Sequence, residues 1–272
     1  MQKIDLLFMA DSEKGYQRWK EELATVAPFV NLYRPEDAPD LNKIEVALAW
    51  KPLEGIFPKL PNLKLIQSLG MGVDHLFKCR DLPKNVPIAR IIDPDMSQQM
   101  AEYVLYGTLI AFRNFQHYAH SQNQEEWLPV ARHFHEEFSI GVLGFGELGQ
   151  AVTERLLKNG FPNIRIWARS PNEHSLVRTF AGKEELPQFL QGLDLLICLL
   201  PLTSHTQDIL SLELFSQLNP GAYLINPARG EHLVEKDLLT ALQTGQLSGA
   251  LLDVFREEPL PPNHPSWNAE NI

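Results

Sequence analysis

The residues with the most explicit chemistry in this sequence are Gly144-Phe145-Gly146-Glu147-Leu148-Gly149. A strand-like run, Ser139-Ile140-Gly141-Val142-Leu143, leads into them, and residues 150–158 continue in a helical pattern. In a strand–turn–helix setting each glycine has a task. Gly144 makes the tight turn, Gly146 lets main chain approach a pyrophosphate, and Gly149 lets helix and strand pack closely. Unbonded N–H groups at the helix start then face the phosphates. The spacing predicts a dinucleotide site over Gly144, Phe145, Gly146, Glu147, Leu148 and Gly149.

The next strand-like run, Ile164–Ala168, bears on which dinucleotide. An NAD site carries Asp or Glu at that strand end to hold the ribose hydroxyls. Here the residues are Arg169-Ser170, and the nearest downstream acid is Glu173. A guanidinium beside a hydroxyl suits a 2′-phosphate, through charge-assisted hydrogen bonds. NADP(H) is therefore expected, with NAD(H) as the weaker alternative.

Two runs of alternating strands and helices must position these groups. In the first, residues 4–10, 29–33, 46–50, 63–69 and 88–92 read as short buried strands, with a helix over 12–26 capped by Asp11 or Ser12. In the second, strands are expected over 139–143, 164–168, 193–200, 222–226 and 248–254. Between the runs a helix is expected from Ser97, as N-cap, to about Gln122, followed by a loop over 122–137. Such alternation implies parallel sheets covered on both faces, an α/β fold.

The bulk composition excludes some function classes. The 272 residues suit two domains, and 24 basic against 34 acidic residues give a net charge of −10. That charge argues against a protein that coats nucleic acid or an anionic membrane. No apolar run approaches the length of a membrane span, and Asp5 interrupts the start of any signal-peptide core. Cys79 and Cys198 do not form a disulfide framework, and Cys198, within an apolar run, reads as a small buried hydrophobe. A cytoplasmic protein is expected, with no nucleic-acid or membrane partner. His133-x-His135 with Glu136-Glu137 lacks further ligands at a metal-binding spacing, and no metal is expected.

Four further motifs carry a family resemblance: Leu200-Pro201-Leu202-Thr203 with Thr206, Asn226-Pro227-Ala228-Arg229-Gly230, Leu252-Asp253-Val254-Phe255, and Glu258-Pro259-Leu260-Pro261. Together with the glycine turn, and in this order, they resemble the D-isomer-specific 2-hydroxyacid dehydrogenases, in particular the glyoxylate/hydroxypyruvate reductase branch. The resemblance implies two Rossmann-like domains with the active site in the cleft between them. A flavodoxin-like substrate domain would occupy residues 1–96, and a doubly wound dinucleotide-binding domain residues 97–272. It also implies a homodimer formed through the cofactor domain, with residues 101–122 contributing.

Carried over by position, Arg229 matches the arginine that grips a 2-keto acid by its carboxylate and keto oxygen, a task that suits a planar fork. Glu258 matches the acid that pairs with the catalytic histidine. Asp253 matches the residue at the nicotinamide carboxamide, and Leu200, Pro201, Thr206, Pro227 and Ala228 match other cofactor contacts. In the first domain, Ser68-Leu69-Gly70-Met71-Gly72-Val73-Asp74-His75 resembles the substrate loop, where Met71 and Gly72 would offer main-chain N–H groups to a carboxylate. Trp50 either walls that pocket or belongs to the core or its rim.

The family's catalytic histidine follows the Glu258 position in a Pro-His dipeptide after one more strand. None of the nine histidines here stands in that setting, so the acid is expected beyond Ile272, in a longer chain. Other readings are a catalytically impaired dinucleotide sensor, or another family member such as a phosphoglycerate or formate dehydrogenase.

Overall fold

The computed structural model describes residues 3–269 and 271–272. The chain falls into two compact units divided between Asp93 and Pro94. In the first, five parallel strands, β1 (Ile4–Ala10), β2 (Val30–Tyr33), β3 (Val46–Trp50), β4 (Leu65–Ser68) and β5 (Ile88–Ala89), take the order β2-β1-β3-β4-β5. This is the flavodoxin-like order. Leu7, Ala47, Ala49 and Ile66 are fully buried, as expected of central strands covered on both faces.

Helix α1 (Glu13–Val26) starts where the Ser12 hydroxyl accepts the Gly15 N–H at 3.0 Å, satisfying one of the first-turn donors. Tyr16 then ties the helix to β2 by donating to the Leu32 carbonyl at 3.0 Å. A short helix, α2 (Asp74–Phe77), follows the loop after β4. Strand β5 is shorter than the 88–92 expected. Beyond Ala89 the chain leaves the sheet, and the Ile91 N–H instead donates to the Gly70 carbonyl.

The second unit opens with α3 (Pro94–Phe112) and α4 (Phe115–Asn123) in place of the single helix expected over 97–122. Pro94 suits a first helical turn, where its missing N–H has no partner to lose. Ser97, expected as the cap, is buried within that turn. Asn114 stands at φ 55, the left-handed region, which breaks the helical hydrogen-bond ladder between the two. Helix α3 approaches the sheet closely at Gly107, where a Cβ would come within 2.6 Å of the Leu251 side chain.

Six parallel strands follow: β6 (Ile140–Leu143), β7 (Ile164–Ala168), β8 (Arg178–Ala181), β9 (Leu195–Cys198), β10 (Ala222–Asn226) and β11 (Leu247–Leu252). Their order, β8-β7-β6-β9-β10-β11, is the 3-2-1-4-5-6 order of a doubly wound sheet and reverses between β6 and β9. Helices α5 (Glu147–Lys158), α6 (Gly182–Leu190), α7 (Leu212–Phe215) and α8 (Glu235–Gln243) make the connections. β8 was not expected: it is an edge strand in which only Phe180 is buried, so Arg178 and Thr179 hide it among loop residues. Strands β9 and β11 are shorter at both ends than, or shifted from, the runs expected, so Leu200 and Asp253 lie on loops past the strand ends. Cys198 is fully buried, and burial pushes its thiol up to about 12.

Candidate active site

The loops at the C-terminal ends of the second sheet gather most of the residues singled out above. Gly144 takes φ +105, and a Cβ there would lie 2.7 Å from the Leu199 carbonyl oxygen on the neighbouring connection. Gly149, in the first turn of α5, would place a Cβ 2.2 Å from the Gly144 carbonyl oxygen. Both positions are closed to any larger residue. Gly146 differs: a Cβ there meets nothing within 4 Å. It is the N-cap of α5, and no side chain caps the helix. The turn therefore presents main-chain N–H groups and the positive end of a helix to open space, which fits a dinucleotide diphosphate.

Phe145 and Leu148 are half-buried, and Glu147 is exposed. The Phe145 ring meets His174 edge-on at 5.9 Å, so the loop after β7 folds against the glycine turn. Arg169 and Ser170 are exposed at the start of that loop. Asn172 donates to the Ser170 carbonyl and Thr179 to the Asn172 carbonyl, each at 2.8 Å, so the loop is closed onto β8. After β9, Thr206 accepts the Thr203 N–H at 2.9 Å and donates to the Pro201 carbonyl at 2.7 Å. Its hydroxyl shapes the Leu200–Thr206 loop from within.

The Arg229 loop is built on Asn226, which sequence reasoning quoted but gave no role. Asn226 is fully buried; its side chain accepts the Ala228 N–H at 3.2 Å and donates to the Arg229 carbonyl at 3.1 Å. Both ends of a buried amide thus hold the turn through Pro227 and Ala228. Arg229 is half-buried, and its Nη1 donates to the Ala228 carbonyl at 2.6 Å. Gly230 packs so closely on the main chain of Phe255 that a Cβ would come within 2.0 Å of the Phe255 carbonyl oxygen. Beneath the loop His232 is fully buried, its ring close to the Pro201 and Arg229 main chain. Burial, with the Arg229 charge adding to it, lowers its pKa and favours the neutral ring. His232 was not foreseen, because nothing in sequence distinguishes a buried histidine from an exposed one.

On the loop after β11, the Glu258 carboxylate accepts the Phe255 N–H at 3.0 Å. Burial raises the Asp253 carboxyl above its ordinary value, and the Glu258 charge adds to this. Tyr103, reaching from α3, is pushed up to about 12, chiefly by burial and further by Asp253. Arg229, Asp253 and Glu258 thus stand on adjoining loops.

In the first unit the loop after β4 is pinned by Ser68, another residue given no role from sequence. Its buried hydroxyl accepts the Gly70 N–H at 3.2 Å and has its one proton between two acceptors, the Gly72 carbonyl at 2.9 Å and the Gly70 carbonyl at 3.1 Å. The Met71 and Gly72 N–H groups are left without an acceptor among the described residues. Trp50 covers Gly70, where a Cβ would come within 2.5 Å of the indole, and packs against His75 at 4.3 Å between ring centroids, the rings tilted by 44°. It is partly exposed, at the rim of this unit's core. Among the described residues no group of three or more His, Cys, Asp and Glu side chains could hold a metal ion. No helix among them is long and apolar enough to cross a membrane.

A doubly wound sheet with a glycine turn after its first strand, next to the point where the order reverses, defines a dinucleotide-binding protein. Residues 105–272 match the family model described as D-isomer specific 2-hydroxyacid dehydrogenase, NAD binding domain. The chain is 43% identical over 261 residues to a Yersinia enterocolitica protein named glyoxylate/hydroxypyruvate reductase A, covering 94% of this chain and 83% of that one. Among solved structures, a D-isomer specific 2-hydroxyacid dehydrogenase of Xanthobacter autotrophicus Py2, in complex with NADPH and MES, has a TM-score of 0.90 at 36% identity, covering 100% of this chain and 86% of that one. An NADPH-dependent glyoxylate/hydroxypyruvate reductase of Sinorhizobium meliloti, in complex with NADP and sulfate, has a TM-score of 0.87 at 31% identity, covering 99% and 86%. The chain belongs to the D-isomer-specific 2-hydroxyacid dehydrogenase family.

Proposed function

We propose that this protein is an NADP(H)-dependent oxidoreductase that reduces a small 2-keto acid, glyoxylate or hydroxypyruvate, to its D-2-hydroxy acid. The observation that carries this reading is the 43% identity, over 94% of the chain, to a protein named for that activity. The exposed Arg169-Ser170 pair at the end of β7, where an NAD site would carry an acid, supports the phosphorylated cofactor.

The glycine turn and the uncapped start of α5 hold the diphosphate, and Arg169 and Ser170 the 2′-phosphate. Leu200, Pro201, Thr206, Pro227, Ala228 and Asp253 complete the cofactor's surroundings. When bound, the cofactor supplies the hydride. Arg229 binds the keto acid through its carboxylate and keto oxygen and offsets the negative charge that grows on that oxygen. The free N–H groups of Met71 and Gly72 bind the carboxylate, with Trp50 walling the site. Glu258 orients the histidine that the family places after the next strand and keeps its proton available for the alkoxide. The substrate domain is assigned to residues 1–96 and the cofactor domain to 97–272. Exposed Tyr106, Phe115, Tyr118 and Trp127 on α3, α4 and the following loop support a homodimer formed through the second unit. We place the protein in the cytoplasm.

The test is the initial rate of nicotinamide oxidation by the full chain with glyoxylate and with hydroxypyruvate, using NADPH and NADH in parallel. NADPH should be preferred by about tenfold or more, and Arg169→Asp should erase the preference. Arg229→Lys should cut turnover by about 10²-fold or more while NADPH binding persists, because lysine lacks the fork. Equal efficiency with both cofactors would overturn the cofactor assignment. Absence of turnover with both keto acids would overturn the substrate assignment.

A further inference from the structure

Arg256 lies on the loop after β11, between Asp253 and Glu258. Its side chain reaches away from that loop. Nε donates to the Leu233 carbonyl at 2.7 Å, and Nη2 donates to the Asp208 carboxylate and to the Glu231 carbonyl, the latter at 3.3 Å. Its main-chain N–H donates to the Glu235 carboxylate at 3.4 Å, and the other oxygen of that carboxylate meets His264 Nε2 at 3.2 Å. Asp208 follows β9, and Glu231, Leu233 and Glu235 follow β10. One guanidinium therefore joins three loops.

Those loops carry residues assigned above to the cofactor and the substrate. Leu200, Pro201 and Thr206 stand on the first, Arg229 on the second, and Asp253 and Glu258 on the third. The first two are already zipped by main-chain bonds: Asp208 N–H to the Glu231 carbonyl at 3.0 Å, Leu210 N–H to His232 at 2.9 Å, and Val234 N–H to Leu210 at 3.0 Å. The third meets the second where the Asp253 N–H donates to the Asn226 carbonyl at 3.2 Å, where Gly230 packs on Phe255, and where His264 meets Glu235. The Arg256 side chain adds bonds to the Leu233 and Glu231 carbonyls and carries the fastening on to Asp208, on the loop after β9. A planar fork with five donors can serve two carbonyls and a carboxylate at once, which a lysine cannot.

We propose that Arg256 is a positioning residue that fixes the separation of Arg229 from Asp253 and Glu258 by fastening the loop after β11 to the loops after β9 and β10. What Arg229 and Glu258 do rests on the function proposed above; the fastening itself does not. A displacement of about 1 Å at a reacting centre can cost on the order of 10²-fold in rate, so loosening this loop acts on turnover more than on cofactor affinity. The glycine turn stands on other elements, β6 and α5, and keeps its shape when Arg256 is lost.

The experiment compares Arg256→Gln and Arg256→Lys with the unaltered full chain, by steady-state kinetics with glyoxylate and NADPH, NADPH fluorescence titration, thermal unfolding and amide hydrogen exchange. Arg256→Gln should lower kcat about 10- to 100-fold, with a much smaller change in the NADPH Kd. Arg256→Lys, which keeps the Asp208 contact, should recover part of kcat. A wild-type kcat in Arg256→Gln would overturn the proposal. So would a joint fall of kcat, NADPH affinity and unfolding midpoint that lysine does not relieve, because that is the behaviour of a general prop. If the unaltered protein reduces neither keto acid, the functional reading fails, and hydrogen exchange then decides on Arg256 alone. Faster exchange at the Asp208, Leu210 and Phe255 amides in Arg256→Gln, with the β9–β10 ladder still protected, supports the fastening. Unchanged exchange there overturns it.

Discussion

The turn after β4 and the turn after β6 both place glycines at the C-terminal end of a parallel strand, yet different neighbours hold them. Around Gly144 and Gly149 the constraint is main chain against main chain: added Cβ atoms would meet the carbonyls of Leu199 and Gly144. Around Gly70 and Gly72 it is side chain against main chain, with the Ser68 hydroxyl gathering the loop and the Trp50 ring lying over it. The first arrangement has no slack, because backbone cannot turn aside. The second can adjust, because an indole can swing. A rigid cradle suits a diphosphate, whose shape does not vary. An adjustable loop suits a smaller group, the carboxylate that the function proposed above gives to Met71 and Gly72.

The largest effect that can break this comparison comes from alanine in the rigid turn. Gly149→Ala must push α5 off β6, at a cost of about 1–3 kcal/mol or more, and NADPH binding should be lost. Its control is Gly146→Ala, where the added methyl meets open space. That variant should unfold at the wild-type temperature yet bind NADPH about tenfold more weakly, roughly 1.4 kcal/mol. Normal NADPH titration of Gly149→Ala would mean that the turn is not rigid.

Ser68→Ala should have an intermediate effect and acts on the adjustable loop. Each hydrogen bond lost is worth about 0.5–1.5 kcal/mol, so the KM for glyoxylate should rise by about threefold to tenfold with the NADPH Kd unmoved. A KM that does not change would show that Met71 and Gly72 hold their places without the hydroxyl.

The smallest effect is on pH dependence. A hydroxyl such as that of Ser68 does not titrate in the neutral range, whereas the Arg229 loop stands on His232, a group that can. Folding lowers the His232 pKa below its ordinary 6.5, by burial above all. The unfolded chain therefore binds more protons as pH falls below about 6.5, and stability must fall with it. Unfolding midpoints measured from about pH 7 to about pH 5 should decline, and His232→Gln should flatten that decline. An unchanged slope in the variant would remove His232 from the account.

Much of this was legible in sequence because it is local. The strands over Ile4–Ala10, Val46–Trp50, Ile164–Ala168 and Ala222–Asn226 have the bounds their apolar runs suggest. Such runs are short and bounded by polar residues, which leaves little freedom in where they enter the sheet. The glycine spacing was legible for the same reason, since a turn of a few residues contains its own constraints. Edge elements were not. Strand β8 and the shortened β5 each have one neighbouring strand, so tertiary pairing decides whether they count as strands at all. The break at Asn114 was equally hidden, because the residues on both sides favour helix.

By itself, then, the order of residues determined the α/β class, the cofactor turn, the reach of β1, β3, β7 and β10 and the grouping of Arg229, Asp253 and Glu258 after the later strands. Only the tertiary structure decided which polar side chains support that machinery. Asn226, Ser68 and Arg256 act through carbonyls and N–H groups whose positions are set by loop closure, and in Arg256 the partners lie on loops far away along the chain. His232 matters because it is buried. Burial and long-range hydrogen bonding depend on the whole packing, and no spacing along the chain encodes them.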